Sequence, residues 1–461
     1  ADFIEIKNVA NYNVDLFSYR FDDGIDFEFA YNDDDTLAPG DFAVVVDDID
    51  AFSAQHNTNN IRISGEFSGD LSNGGEEIDL EFNNTDLISF TYDDKRNWPQ
   101  AANGGGHSIV PLATAMDAQE SGSLDYGGNW RASTYYEGSP GVEDPSPNSP
   151  LVINEVTAHT DTGLAAPFDS NDKIEIYNNS ATSISLNGYY LSDELELPTK
   201  WAIPSGITLG AYSYIVFDED DFHPNRTSGF GLNKACEQVL LSNVDGVVDM
   251  IRFKAQENGV SLGRYPDGSA NWLTTQLTPN AANQPISSGL QLSAIMYNPL
   301  TSGNDHEYIK VRNTGSSPIT LSNEIGSFRI DGEVSYTFPD STTLSAGEEL
   351  WVLSFNPTNT AKLNAFCSEY SLIAANETFV GGYANSLSDR TGRVGLEYPM
   401  DSDNPDLPDE ISWVVIDEAF YFDQSPWPIG TDGTGVALIR IGLTSWGIPL
   451  ANDQDGDAME D

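Results

Sequence analysis

Four short landmarks recur in the same order three times along this chain, and internal repetition constrains a fold more than any single residue does. The first is a strand-like alternation ending in Asn: Ile4-Glu5-Ile6-Lys7-Asn8, Ile174-Glu175-Ile176-Tyr177-Asn178 and Ile309-Lys310-Val311-Arg312-Asn313. Alternation puts Ile4 and Ile6 on one face and Glu5 and Lys7 on the other. The second is a Thr-Leu turn before an apolar strand, at Thr36-Leu37, Thr208-Leu209 and Thr343-Leu344. The third keeps one spacing: Leu71, Ile78 and Leu80 match Leu232, Val239 and Leu241, and also Leu387, Val394 and Leu396. The fourth is a closing tryptophan at Trp130, Trp272 and Trp446.

Between the landmarks run short apolar or alternating stretches bounded by Gly, Asn, Asp or Pro. Examples are Phe42-Ala43-Val44-Val45-Val46, Tyr214-Ile215-Val216-Phe217 and Trp413-Val414-Val415-Ile416. Helical spacing is scarce. The expected fold is all-β: three tandem immunoglobulin-like β-sandwiches, with almost no helix. Ile4, Ile6, Val44, Ile174, Ile176, Ile215, Leu232, Ile309, Val311, Leu387 and Leu396 are the expected inward positions. Stretches rich in Pro, Gly, Ser and Asn fall between the repeats, at 138–147 and 278–289. The expected domains are 1–141, 151–280 and 290–450, followed by an acidic tail at 451–461.

Charge narrows the partners. There are 72 Asp+Glu against 20 Lys+Arg, a formal net charge of −52. Such a surface repels nucleic acid and anionic membranes, so neither is an expected partner. No stretch approaches 18 consecutive apolar residues, so membrane insertion by a helix is not expected. Two cysteines, Cys236 and Cys367, lie in different repeats and form no disulfide framework.

The second repeat carries a resemblance. Leu151-Val152-Ile153-Asn154-Glu155-Val156, Ile174–Asn178, Ser183–Asp193, Lys200-Trp201-Ala202-Ile203-Pro204 and Gly263–Gly268 with Trp272 and Thr278-Pro279 resemble the lamin tail domain. The third repeat, from Leu290, is similar but more divergent, with an acidic insertion at Pro399–Glu410. The first is similar but lacks the opening strand. The copies look most like those of bacterial exported proteins associated with CotH, the spore-coat-kinase-like family. The resemblance implies a non-catalytic immunoglobulin-like module in a secreted or cell-surface protein. The nuclear-lamin roles are not expected to transfer, because this chain has no coiled-coil rod.

No catalytic constellation is legible: there is no H-E-x-x-H, G-x-S-x-G or P-loop. Gly104-Gly105-Gly106-His107 hints at an active-site loop. His107 falls where the other copies carry Val260 and Val436, however, so a turn entering a strand is the better reading. The repeated tryptophans read as packing rather than as sugar platforms. Trp98 and Trp427, absent from the second repeat, keep a ligand role open. One motif suggests a metal. Asp453, Asp455, Asp457 and Asp461 stand at loop positions 1, 3, 5 and 9, the oxygen-rich spacing Ca²⁺ prefers. Gly456 at position 4 and Ala458 at position 6 depart from that pattern, which resembles a thrombospondin type 3 repeat.

The functional expectation is a non-catalytic structural or adhesion protein at the cell surface, part of a surface assembly or filament, with protein or polysaccharide partners. The alternative is an accessory segment of a larger exported enzyme, a hydrolase or CotH-kinase-like protein, whose catalytic domain lies outside this chain. Because the first repeat begins at Phe3–Lys7, its open edge is a candidate for self-association.

Overall fold

The computed structural model describes residues 1–30, 36–112, 122–147, 149–160, 171–301, 303–402, 410–449 and 459–460. The chain packs into two compact units. One comprises Ala1–Val152, Ser185–Thr208 and Gln238–Arg252, and the other Ile153–Ile184, Leu209–Glu237 and Phe253–Asp461. The architecture is all-β, built of immunoglobulin-like sheets.

In the first unit, strand Phe3–Lys7 pairs antiparallel with Phe42–Val46, which pairs in parallel with Ile63–Glu66. A second sheet runs in the order Asp86–Asp93, Gly75–Phe82, Tyr19–Asp23, Ile25–Glu28, Ser68–Gly69. The register sets Ile4 opposite Val45 and Ile6 opposite Ala43. These four face Phe21, Ile25, Ile78 and Leu80 of the second sheet, closing one core. The alternate residues Val44 and Val46 turn the other way, onto Phe52 of the helix Ile49–Gln55. The unbroken run of β-branched residues is thereby explained: a strand covered on both faces needs apolar side chains at every position.

The second unit repeats this plan around residues 290–449. Strand Tyr308–Asn313 pairs antiparallel with Leu290–Met296 on one side and Glu349–Leu353 on the other. Thr378–Gly381 then adds in parallel to Glu349–Leu353. Ile309, Val311, Leu350 and Val352 meet Ile330, Val394, Leu396 and Tyr421 of the facing sheet. Tyr308, Trp351 and Leu353 turn outward onto Phe366 of the helix Thr360–Glu369. The acidic insertion tips the hairpin between Thr391–Asp401 and Ile411–Phe422, and its residues 403–409 lie outside the described residues.

The second repeat contributes two further sheets. Trp201–Ala202, Tyr190–Ser192, Glu237–Ser242 and Val247–Phe253 form one. Tyr214–Asp218, Lys173–Asn178, Leu151–Thr157, Ser261–Arg264 and Trp272–Thr275 form the other. Here an opening strand, Leu151–Thr157, joins Lys173–Asn178 to the closing hairpin. Leu290–Met296 does the same between Tyr308–Asn313 and Leu438–Arg440. In the first repeat nothing described lies between Phe3–Lys7 and the hairpin Ile109–Pro111/Trp130–Ala132, which remains a separate two-stranded ribbon.

Of the expected inward positions, Val44, Ile174, Ile176, Ile309, Val311, Leu387 and Leu396 are buried. Ile4, Ile6, Ile215 and Leu232 are only partly buried. Ile4, Ile6 and Ile215 sit on strands paired on one side only, and Leu232 lies in a loop. The helices Ile49–Gln55 and Thr360–Glu369 depart from the expectation of almost none. Both carry signals in the sequence: caps at Asp48 and Asn359, and Leu363, Phe366 and Cys367 at helical spacing.

Because Phe52 and Phe366 are fully buried under these helices, Phe52→Ala and Phe366→Ala should each cost about 3–5 kcal/mol of stability. Denaturant unfolding of the two variants measures it.

Candidate functional site

Each closing tryptophan opens the second strand of its closing hairpin, and an exposed aromatic face there could stack on a ligand. The structure covers these faces instead. Arg264 lies over Trp272 at 4.6 Å and Arg440 over Trp446 at 4.5 Å. Trp130 packs between Phe90 at 5.1 Å and Trp98 at 5.9 Å, and its indole N–H donates to the Leu124 carbonyl at 2.8 Å. Trp427 packs on Trp446 at 6.2 Å. Stacking on a planar cation adds affinity between protein groups and leaves less ring for a sugar.

Those arginines also hold the opening strands. Arg264 Nε donates to the Ile153 carbonyl at 2.8 Å, and Arg440 Nε to the Leu292 carbonyl at 3.3 Å. Asp417 pairs with Arg440 and accepts the Leu292 N–H at 2.7 Å. In the first repeat the residue opposite the tryptophan is Pro111, which can donate nothing. At this position, therefore, the first repeat has no arginine to bond a neighbouring strand.

A second group of polar residues gathers on the outer face of the Lys173–Asn178 sheet. Glu155 accepts from the Thr278 N–H at 3.0 Å, and Glu175 from the Asn280 N–H at 2.7 Å. The Asn154 amide donates to Glu175 at 3.2 Å and to Asp267 at 3.1 Å. Asp267 also accepts from the Tyr214 hydroxyl at 2.8 Å and the Asn283 N–H at 3.0 Å. Burial pushes the Glu175 carboxyl up to about 8, reinforced by Glu155 and Asp267. Burial likewise raises Glu155.

The same device recurs elsewhere. Glu5, pushed up to about 7 chiefly by burial, accepts the N–H of Gly141. Asp172, raised by burial to about 6, accepts the Leu232 N–H at 2.6 Å. Glu307, raised by burial to about 7, accepts the Leu387 N–H at 3.0 Å and the Tyr383 hydroxyl at 3.0 Å. A buried carboxylate satisfied by backbone N–H groups is a clasp between segments far apart in sequence.

A third cluster is ionic. Glu397 is fully buried and receives Arg329 at 2.8 Å, Arg393 at 2.9 Å and Lys254 at 2.5 Å. Asp331 receives Lys254 at 2.9 Å and Arg393 at 3.3 Å. Arg329 stacks over Trp413 at 3.7 Å. Burial alone would raise Glu397, but Arg393 and Lys254 more than offset it and hold the carboxyl below its ordinary value. Beside them the Ala255 N–H donates to the Trp413 carbonyl at 3.1 Å, so the segment between Val247–Phe253 and Ser261–Arg264 is bonded to the long hairpin Thr391–Asp401/Ile411–Phe422.

His107 is buried in the first unit. Its Nδ1 lies 2.8 Å from the Ser133 carbonyl, and its Nε2 accepts the Val247 N–H at 2.9 Å. Those two bonds define a neutral ring protonated on Nδ1. Burial lowers its affinity for a second proton, against the opposing pull of the Ser133 carbonyl and Asp144.

Asp453, Asp455, Asp457 and Asp461 lie outside the described residues, so the structure places none of them. Among the described residues no group of three His, Cys, Asp or Glu is arranged to hold a metal ion, and no helix is long and apolar enough to cross a membrane. The clasping carboxylates were not singled out from sequence. The signal available was Glu5 and Glu175 at the centre of Ile-Glu-Ile strands, the outward position of a sheet whose other face is core.

Residues 144–255 match the Lamin Tail Domain, a family of immunoglobulin-like, non-enzymatic domains, so this stretch is lamin-tail-like. No curated protein matches the chain. A crystal structure of a DUF4876 family protein from Bacteroides thetaiotaomicron is similar over 56% of this chain and 82% of that chain, at 10% identity and a TM-score of 0.23. A likeness at that score carries no argument about fold or function.

Two outcomes follow. Glu397→Ala removes the fully buried member of the network, while Asp331 and Glu418 still partner the cations; it should cost about 1–3 kcal/mol, more than Lys254→Ala, as read by denaturant unfolding. For His107 the folded value lies below the ordinary 6.5. Its stability is fully present above about 6.5 and is lost as pH falls from there through the folded value. Melting curves should show His107→Asn less stable than wild type at about pH 7.5, with the gap narrowing at about pH 5.5.

Proposed function

We propose that the chain is a non-catalytic structural or adhesion protein of the cell surface, built from three lamin-tail-like sandwiches in tandem. The observation that supports it is how the shifted carboxyls are used. Glu5, Glu155, Asp172, Glu175 and Glu307 each accept a backbone N–H from a distant segment of the chain. Catalysis needs shifted groups left free to face a substrate. Here they are spent on holding strands, loops and linkers in place, as a spacer or building block requires.

The acidic surface fits an environment rich in salt or Ca²⁺, where cations screen the self-repulsion of 52 net negative charges. Asp453, Asp455, Asp457 and Asp461 are the proposed Ca²⁺ ligands, with carboxylate oxygens wrapping a hard cation. The proposed partners are protein or polysaccharide at the cell surface, with self-association through the Phe3–Lys7 edge as a further proposal.

Cosedimentation of the purified chain with washed bacterial cell envelopes tests the main reading. Saturable retention, competed by soluble envelope polysaccharide or stripped surface protein, supports it. No retention, together with a monomer at every Ca²⁺ concentration in analytical ultracentrifugation, overturns it. The cation reading has its own outcome. The melting midpoint should rise with salt, and rise further with Ca²⁺ at constant ionic strength. The Ca²⁺ increment should vanish in Asp455→Ala.

A further inference from the structure

The first two repeats match closely except in what lies beside the Ile-Glu-Ile strand. Glu5 of Phe3–Lys7 accepts the N–H of Gly141 in Ser139-Pro140-Gly141, and Glu175 of Lys173–Asn178 that of Asn280 in Thr278-Pro279-Asn280. In the second repeat the opening strand Leu151–Thr157 lies between Lys173–Asn178 and Ser261–Arg264 and is bonded to both. In the first, Phe3–Lys7 pairs only with Phe42–Val46, and Ile109–Pro111 only with Trp130–Ala132. The Asp2 carbonyl accepts from the Asp47 N–H and the Asn8 N–H donates to Asp41, both on the Phe42–Val46 side. By alternation the backbone groups of Phe3, Glu5 and Lys7 point to the other side, where none has a backbone partner among the described residues. Ser108 and Leu112 bond the partner strand of their hairpin, so Ile109 also faces an open side. Its counterpart Leu262 is the residue that pairs with Val156 of the opening strand, and Pro111 lies beyond that ladder.

We propose that the first repeat binds one extended strand of another polypeptide between Phe3–Lys7 and Ile109–Pro111. The occupant has the chemistry of Leu151–Thr157: apolar side chains toward the core and a side-chain acceptor at the position of Glu155. The floor of the slot is apolar and open. Ile4 and Ile6 stay partly exposed, whereas their counterparts Ile174 and Ile176, beside an opening strand, are fully buried. Both sides of the slot meet one segment. A Cβ on Gly138 would lie 3.1 Å from the Phe3 ring and 2.6 Å from the Ser108 hydroxyl, next to Ile109. A donor is also in place. The Thr278 N–H donates to Glu155 of the opening strand, and the corresponding Ser139 N–H has no acceptor among the described residues. The usual guards of a sheet edge are absent from Phe3–Lys7. Its register has no bulge, it holds no proline, and its two charged side chains are taken up by Gly141 and Glu143. Such an edge adds a strand through main-chain hydrogen bonds, while the pockets for alternate side chains select the sequence.

The slot rests on the reading of the chain as a protein with protein partners, but its test is separate. The probe is a fluorescent synthetic peptide with the sequence of residues 150–158, added to the whole chain at a concentration where ultracentrifugation shows a monomer. Anisotropy should give saturable binding with a Kd below about 100 μM. The same peptide with Glu155→Pro, which has neither the backbone donor nor the acceptor there, should bind at least about tenfold more weakly. Hydrogen exchange read by mass spectrometry places the peptide. Segments 1–8 and 107–112 should gain at least about tenfold protection, with Leu290–Met296 unchanged. No binding at about 1 mM peptide overturns the proposal. Protection gained elsewhere also overturns it, as does a free chain whose segment 1–8 already exchanges as slowly as Lys173–Asn178. Envelope retention without peptide capture rejects the slot alone, and peptide capture without envelope retention rejects the surface reading alone.

Discussion

The structure depends on a requirement that falls on one strand in each repeat. The Ile-x-Ile/Val strand lies inside its sheet in the second and third repeats and at the sheet edge in the first; in each its inner side is core and its outer side must still be sealed. A sheet strand with both faces out of water needs either apolar cover or fully partnered polar groups. Two solutions appear. Around residues 3–66 and 308–381 the chain inserts a short helix and a parallel strand, and Phe52 or Phe366 closes the outer face. Around residues 173–230 the helix is shorter, Glu219–Phe222 with a buried Phe222, and carboxylates, amides and hydroxyls bonded to one another and to the linker turn add polar cover.

The opening strand is the second consequence of the same requirement. A central strand needs ladder partners on both sides, and Leu151–Thr157 and Leu290–Met296 supply the second partner. Their own outer edges are then closed by the hairpins that carry Arg264 and Arg440. Arginine here does three things at once: it bonds a strand carbonyl, covers a tryptophan, and in one case neutralises a buried aspartate.

Much of this was legible in the sequence. Period-two alternation in Ile-Glu-Ile and Ile-Lys-Val, the Thr-Leu turns and the constant spacing from Leu71, Leu232 and Leu387 each report local backbone geometry, and each is visible one residue at a time. Packing of the tryptophans was inferred from their repetition, and the arginines and aromatic rings over them give the reason. What stayed hidden was long-range. That Glu175 meets Asn280, or Lys254 meets Glu397, follows from chain segments separated by 105 and 143 residues. In a chain with 72 acidic residues no composition marks out the few that are buried. The helices were missed for another cause: their apolar stripes are only two or three residues long and drown among strands.

The split sheet of the first repeat has a mechanical meaning. A strand bonded on both sides must shear two ladders together before it slides under a load along its length. Leu290–Met296 is loaded in that way, with Asp417 and Arg440 as cross-ties at Leu292. Phe3–Lys7 has a ladder on one side only, reinforced by side-chain ties to Gly141 and Glu143. Under such a load Phe3–Lys7 has one ladder to shear where Leu290–Met296 has two.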